Sequence, residues 1–94
     1  MNLVKAYEDL MYSEYRPDLV DMLNYTKSVY DRARNMQKSK YELITFFRID
    51  CRISESDVEC FHRGSYIANC FTYLKSRKSW ISAKISLIDK MEIK

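Results

Sequence analysis

One glycine and one proline in 94 residues exclude the architectures that turn often. Sandwiches and barrels need turn residues between many short strands, so the expected fold class is all-α. No run of about 18 apolar residues occurs, so no segment is suited to cross a bilayer as a helix. At the amino terminus, Glu8 and Asp9 interrupt MNLVKAYEDLMYSEY before an apolar export core can form. The chain is therefore expected either to stay where it is made or to have lost an export segment. Soft metal ligands are few, with one histidine and three cysteines, and no C-x-x-C pair provides the spacing of a structural zinc site. No metal and no cofactor is expected. His62 follows Cys60 by two positions, a separation at which helical side chains do not face each other. That argues against a cysteine nucleophile with a histidine base, and no other catalytic constellation stands out, so the chain is not expected to be an enzyme.

What is present favours a single folded unit. Apolar residues make up 47% and aromatic residues 14%, at a net charge of only +3, which is too much burial potential for a disordered chain. The length supports one modest core over residues 1–94. Sixteen basic residues are interspersed with thirteen acidic ones, the pattern of a solvated surface with a cationic tilt. Two basic clusters, Arg32, Arg34, Lys38 and Lys40, then Lys75, Arg77 and Lys78, could neutralise phosphates while tyrosines stack on bases. The interspersed acids make nucleic acid the weaker reading.

Apolar periodicity divides the chain into four or five helices. Leu3, Tyr7, Leu10 and Met11 recur at helical spacing up to Tyr15–Arg16–Pro17, where proline disfavours helix for the residue before it. A longer amphipathic helix follows from Pro17 or Asp18 to about Asn35, with Leu19, Met22, Leu23, Thr26, Val29, Tyr30 and Ala33 on one stripe. After a connector at 35–38, Ser39 and Glu42 form an S-x-x-E capping box. It opens a short apolar helix ending between Asp50 and Ile53; by periodicity alone, YELITFFRI would also suit a buried strand. Ser56 and Glu59 repeat the box and start a helix that runs past Phe61 and Phe71 to Leu74. Gly64 then falls inside a helix, where it costs about 1 kcal/mol against alanine. Close approach of a second helix to Gly64 and Ala68 would offset that cost and leaves room for a homo-oligomer. The last segment, WISAKISLIDKMEIK, alternates as a strand would, but also places Ile81, Ile85 and Ile88, or Trp80, Leu87 and Met91, on one helical face. Helix is favoured, since no pairing strand is evident.

The segment Ser56–Asp57–Val58–Glu59–Cys60–Phe61–His62–Arg63–Gly64, continuing to Ala68, resembles the S-D-x-E-C-x-x-R-G-x-x-x-A segment of the soluble domain of the lysis-inhibition antiholin RI family of T-even bacteriophages. In outline the resemblance covers residues 17–73, with side-chain identity concentrated in 56–68. It implies a helical domain that binds the soluble domain of a phage holin and delays hole formation. It also implies a periplasmic disulfide between Cys51 and Cys60, leaving Cys70 as the extra thiol. Without the resemblance, all three cysteines could be reduced core residues. The family carries an export segment at its amino terminus. Periplasm is therefore the expected location for an antiholin, and cytoplasm if Met1 is the true start, where the partner would be a host factor or nucleic acid. The residues between Leu74 and Lys94 extend beyond the family's usual end and have no matched role.

Arginine and tyrosine are enriched where binding energy concentrates. Arg63, Tyr66, Asn69 and Tyr73 are accordingly the expected partner-binding residues, the last three placed away from the apolar stripe. Arg63 could equally pair within the chain with Asp57 or Glu59.

Overall fold

The computed structural model describes residues 2–59, 61 and 64–92. Among these it contains five α-helices and no strand: α1 (Leu3–Leu10), α2 (Arg16–Asn35), α3 (Lys40–Thr45), α4 (Glu55–Val58) and α5 (Tyr66–Glu92). A π-helical turn, Phe46–Asp50, continues directly from α3.

α1 starts where the Asn2 side chain accepts the Lys5 amide at 3.1 Å, an N-cap that satisfies one of the free amides of a helix start. It buries Leu3, Tyr7 and Leu10. It ends sooner than the apolar pattern suggests, because Lys84 on α5 donates to the carbonyls of Leu10 (3.2 Å) and Met11 (2.7 Å). A cation there satisfies orphan acceptors and suits the negative end of the helix dipole.

α2 opens at Arg16 with Pro17 in its first turn, where a missing amide proton has no consequence. Its buried stripe is Leu19, Met22, Thr26, Val29 and Ala33, in agreement with the periodicity. α2 and α5 lie antiparallel. Arg16 Nε meets Asp89 Oδ1 at 2.7 Å at one end, and the rings of Tyr30 and Phe71 meet edge-on with centroids 5.4 Å apart towards the other. The exposed ion pair contributes no more than about 1 kcal/mol, so the pairing rests on the apolar seam. α1 closes over that seam. The Tyr7 ring stands edge-on to Tyr73, with centroids 5.7 Å apart, and its hydroxyl lies 2.8 Å from Thr26 Oγ1. Thr26 already donates to the Met22 carbonyl, so Tyr7 is the donor of this pair.

Ser39 precedes α3 as expected, but its side chain makes no capping bond. The helix then widens. The Cys51 amide bonds to the Phe46 carbonyl at 3.0 Å, a five-residue step that brings Cys51 back to the side of Phe46 so that Phe46, Phe47 and Cys51 are all buried. Arg52 takes a left-handed conformation, φ 56°, uncommon for a residue with a Cβ. It turns Ile53 inward, where the Ile53 amide reaches the Phe47 carbonyl at 2.9 Å. The Leu3 amide bonds to the Cys51 carbonyl at 3.0 Å, which ties the start of α1 to this turn.

α5 is one continuous 27-residue helix that joins only the latter part of the expected motif helix, from Tyr66, to the carboxyl-terminal segment. Ile81 is fully buried, with Trp80, Ile85 and Ile88 packed against the core. Leu87 and Met91 are exposed. The register is therefore that of Ile81, Ile85 and Ile88. No helix among the described residues is long and apolar enough to cross a membrane.

Candidate partner-binding surface

Among its described residues, the segment that carries the antiholin resemblance is not one continuous helix. α4 has only four residues and is capped two residues earlier than the sequence suggests. The Ser54 side chain accepts the Asp57 amide at 3.3 Å, and the Asp57 carboxylate accepts the Ser54 amide at 2.8 Å. This reciprocal box uses Ser54 and Asp57, while Ser56 turns its hydroxyl to Ser54 at 2.9 Å. Val58 is the buried anchor of α4, and Glu55 pairs with Arg48 of the π-helical turn.

Gly64 has φ +134°, incompatible with α-helix, and α5 begins two residues later. Apart from its two chain neighbours, no described residue comes within 4 Å of where its Cβ would stand. Among the described residues, no second helix of this chain packs on Gly64 and Ala68: Gly64 is an exposed turn residue, and Ala68 is exposed on α5. The glycine is required by backbone conformation, which L-residues rarely adopt. Gly64→Ala is thus expected to destabilise by about 1–3 kcal/mol through strain. In a helix interior the same change would stabilise by about 1 kcal/mol, so the sign of the shift in urea denaturation decides between the two conformations.

Glu55, Ser56, Val58, Glu59, Gly64, Tyr66 and Asn69 line an open groove of about 660 Å³. Of the expected partner-binding residues, it brings together Tyr66 and Asn69, and both are better described as anchors. The Tyr66 hydroxyl donates to the Ile53 carbonyl, its ring lies under the Arg48 guanidinium at 5.0 Å, and Asn69 is only 5% exposed. Tyr73 lies elsewhere. It is 3% exposed, edge-on to Tyr7 and Phe61, with the Arg77 guanidinium 5.0 Å above its ring. The expectation that Asn69 and Tyr73 stand clear of the apolar stripe is corrected by their burial: on a helix packed by α1, α2 and α4, positions 66, 69, 70 and 73 face inward. Arg63, His62 and Cys60 lie outside the described residues.

Cys51 and Cys70 are free and buried. Burial pushes the Cys51 thiol up to about 11, with the Asp50 carboxylate adding to it. It pushes Cys70 up to about 12, against the opposing hydrogen bond with Tyr66. Desolvation likewise raises the phenols of Tyr7, Tyr66 and Tyr73. The fold thus favours the protonated forms of all five groups. Their contribution is whole below about pH 8.5, the value of an exposed thiol, and is lost as pH rises towards the folded values. The melting temperature followed by circular dichroism is expected to be level near neutrality and to fall steadily above about pH 9; a level profile up to about pH 11 would contradict this burial.

Among the described residues, no cluster of histidine, cysteine, aspartate or glutamate could hold a metal ion.

A second groove was not anticipated as a unit. Tyr30 and Arg34 from the end of α2, Gln37, Lys40 and Leu43, and Ile67, Ala68, Phe71 and Lys75 on α5 line an open groove of about 680 Å³. Its basic residues belong to both clusters seen in the sequence. The other members disperse: Arg32 stacks on Phe46 at 5.1 Å and Arg77 lies over Tyr73 and Trp80. No protein-family model, no curated protein and no solved structure matches the chain.

Proposed function

We propose that the chain is a protein-binding helical module of the antiholin kind, which holds the soluble domain of a phage holin and delays hole formation. The reading rests on the resemblance of residues 56–68 and is supported by one observation. Ser56, Glu59 and Gly64, members of that segment, are exposed around an open groove, so the Ser56 and Glu59 side chains and the Gly64 backbone are available to a partner while Val58 and Asp57 hold the segment in place. Binding, not catalysis, is the proposed activity, and the periplasm its proposed location.

The disulfide between Cys51 and Cys60 belongs to the same proposal. Cys51 is 4% exposed, and a buried thiol with a raised pKa offers little thiolate for exchange. Oxidation would therefore take place before the core closes around Cys51, or through its local opening. The test is to export the chain into the periplasm of bacteria that express a T-even holin and its endolysin. Lysis is expected to be delayed, and the purified chain is expected to bind the holin's soluble domain at physiological salt. Unchanged lysis timing with folded, exported protein would sink the proposal.

A further inference from the structure

We propose that the groove between the end of α2, the start of α3 and the first turns of α5 docks an acidic protein segment anchored by apolar side chains. The proposal stands apart from the antiholin reading, because it specifies the chemistry of the docked segment and not the protein that carries it.

Three observations fix that chemistry. First, every charged residue lining the groove among the described residues is basic: Arg34, Lys40 and Lys75. All three are exposed, in a chain whose acidic residues are nearly as numerous as its basic ones. Lys75 is far from the other two in sequence, so their convergence is a product of the fold. Three cations around one concavity raise the local potential and favour a complementary anionic partner.

Second, part of the space between the cations is apolar. Ile67, Ala68 and Phe71, with Leu43 beneath them, line it beside Gln37 and Ser65, an open surface that can seat apolar side chains among polar ones. A free phosphate or a small anion would leave this apolar surface unused. A peptide whose apolar side chains recur on one face, flanked by carboxylates, would use both parts.

Third, the aromatic rings are already engaged. Arg34 and Lys75 each lie 5.9 Å from the centroid of the Tyr30 ring, and Phe71 meets Tyr30 and Phe47 edge-on. Binding of single-stranded nucleic acid relies on rings that are free to stack with bases. Here the Tyr30 ring already lies beside both cations and is not free to stack with a base.

The experiment selects binders from a displayed library of random dodecapeptides on the immobilised full chain. Fluorescence anisotropy of the enriched peptides follows, on wild type and on three variants. Arg34→Gln with Lys75→Gln removes two rim charges, Ala68→Gln places a neutral, helix-compatible side chain in the groove, and Lys27→Gln removes an exposed charge elsewhere on α2. All of these positions are exposed, so circular dichroism should match wild type. Enriched peptides are expected to combine two or more acidic residues with apolar anchors. Their affinity should fall about tenfold in the double variant and in Ala68→Gln and stay unchanged in Lys27→Gln, with a weakening in salt that the double variant reduces. Failure to enrich any peptide, enrichment without acidic residues, or equal loss in Lys27→Gln would overturn the proposal. So would salt-steep binding of a 20-nucleotide single strand that is lost in the double variant, which would assign the groove to nucleic acid.

Discussion

Phe47→Ala is expected to destabilise the domain by about 3–5 kcal/mol, the range for deleting a buried aromatic ring. Phe47 is fully buried and is the hub of the aromatic core. Its ring lies 5.7 Å from Phe46, 6.4 Å from Tyr66 and 5.5 Å from Phe71, the last two edge-on. Such pairs add about 0.5–1.5 kcal/mol beyond the burial of area. Collapse cannot easily refill the site, because the backbone around it is fixed from two sides: the Phe47 carbonyl accepts the Ile53 amide, and the Phe46 carbonyl accepts Cys51. A domain of this size has about 5–15 kcal/mol in total, so one substitution removes a large fraction, and the melting temperature should drop by more than about 12 °C. Ile49, on the same π-helical turn but 67% exposed, supplies the control; its change to alanine should stay within about 0.5 kcal/mol. Urea denaturation of the pair is the measurement. A loss below about 1.5 kcal/mol for Phe47→Ala would show that the core repacks and that the wide turn is not rigid.

The contrast between these neighbours shows what is legible in a sequence and what is not. The stripe of α2 could be read directly, since Leu19, Met22, Thr26, Val29 and Ala33 repeat at the helical period and a helix of that length must bury them. The connector before Ser39 was legible too. The widening of the helix at Phe46 was not, because adjacent phenylalanines suit a strand, a helix or a π-helical turn, and only the tertiary need to bury Cys51 with them selects the last.

The motif segment was misjudged for a related reason. Two overlapping boxes exist, Ser54 with Asp57 and Ser56 with Glu59, and local chemistry permits either. Tertiary placement selects the first, through the burial of Val58 and the pairing of Glu55 with Arg48. Gly64 carried the available signal of the break, since a lone glycine in a helical pattern is either tolerated at a cost or marks a turn. The basic groove was hidden in another way: both clusters were visible, but helical neighbours three and four apart do not reveal which residues of two antiparallel helices will meet.

Tyr73→Ala separates a core role from a binding role more sharply than any surface change. As a binding hot spot, Tyr73 would reduce partner affinity by more than about 2 kcal/mol on truncation, with little change in stability. As the buried residue that the structure shows, with its ring between Tyr7 and Phe61 and beneath Arg77, it should reduce stability by about 3–5 kcal/mol. Binding should then fall only in proportion to the unfolded fraction, so the affinity of the folded population is unchanged. The distinction is read by measuring urea stability and partner affinity on the same preparation, with affinity taken at a low temperature where the variant is folded. Tyr73→Phe keeps the ring contacts and removes only the hydroxyl. That hydroxyl is influenced by Arg77, so the loss should stay within about 1.5 kcal/mol, the upper end for a single hydrogen bond, and leave affinity as in wild type. A stable Tyr73→Ala protein with lost affinity would mean that Tyr73 leaves the core to reach its partner, and that α1 must lift from α5 when the complex forms.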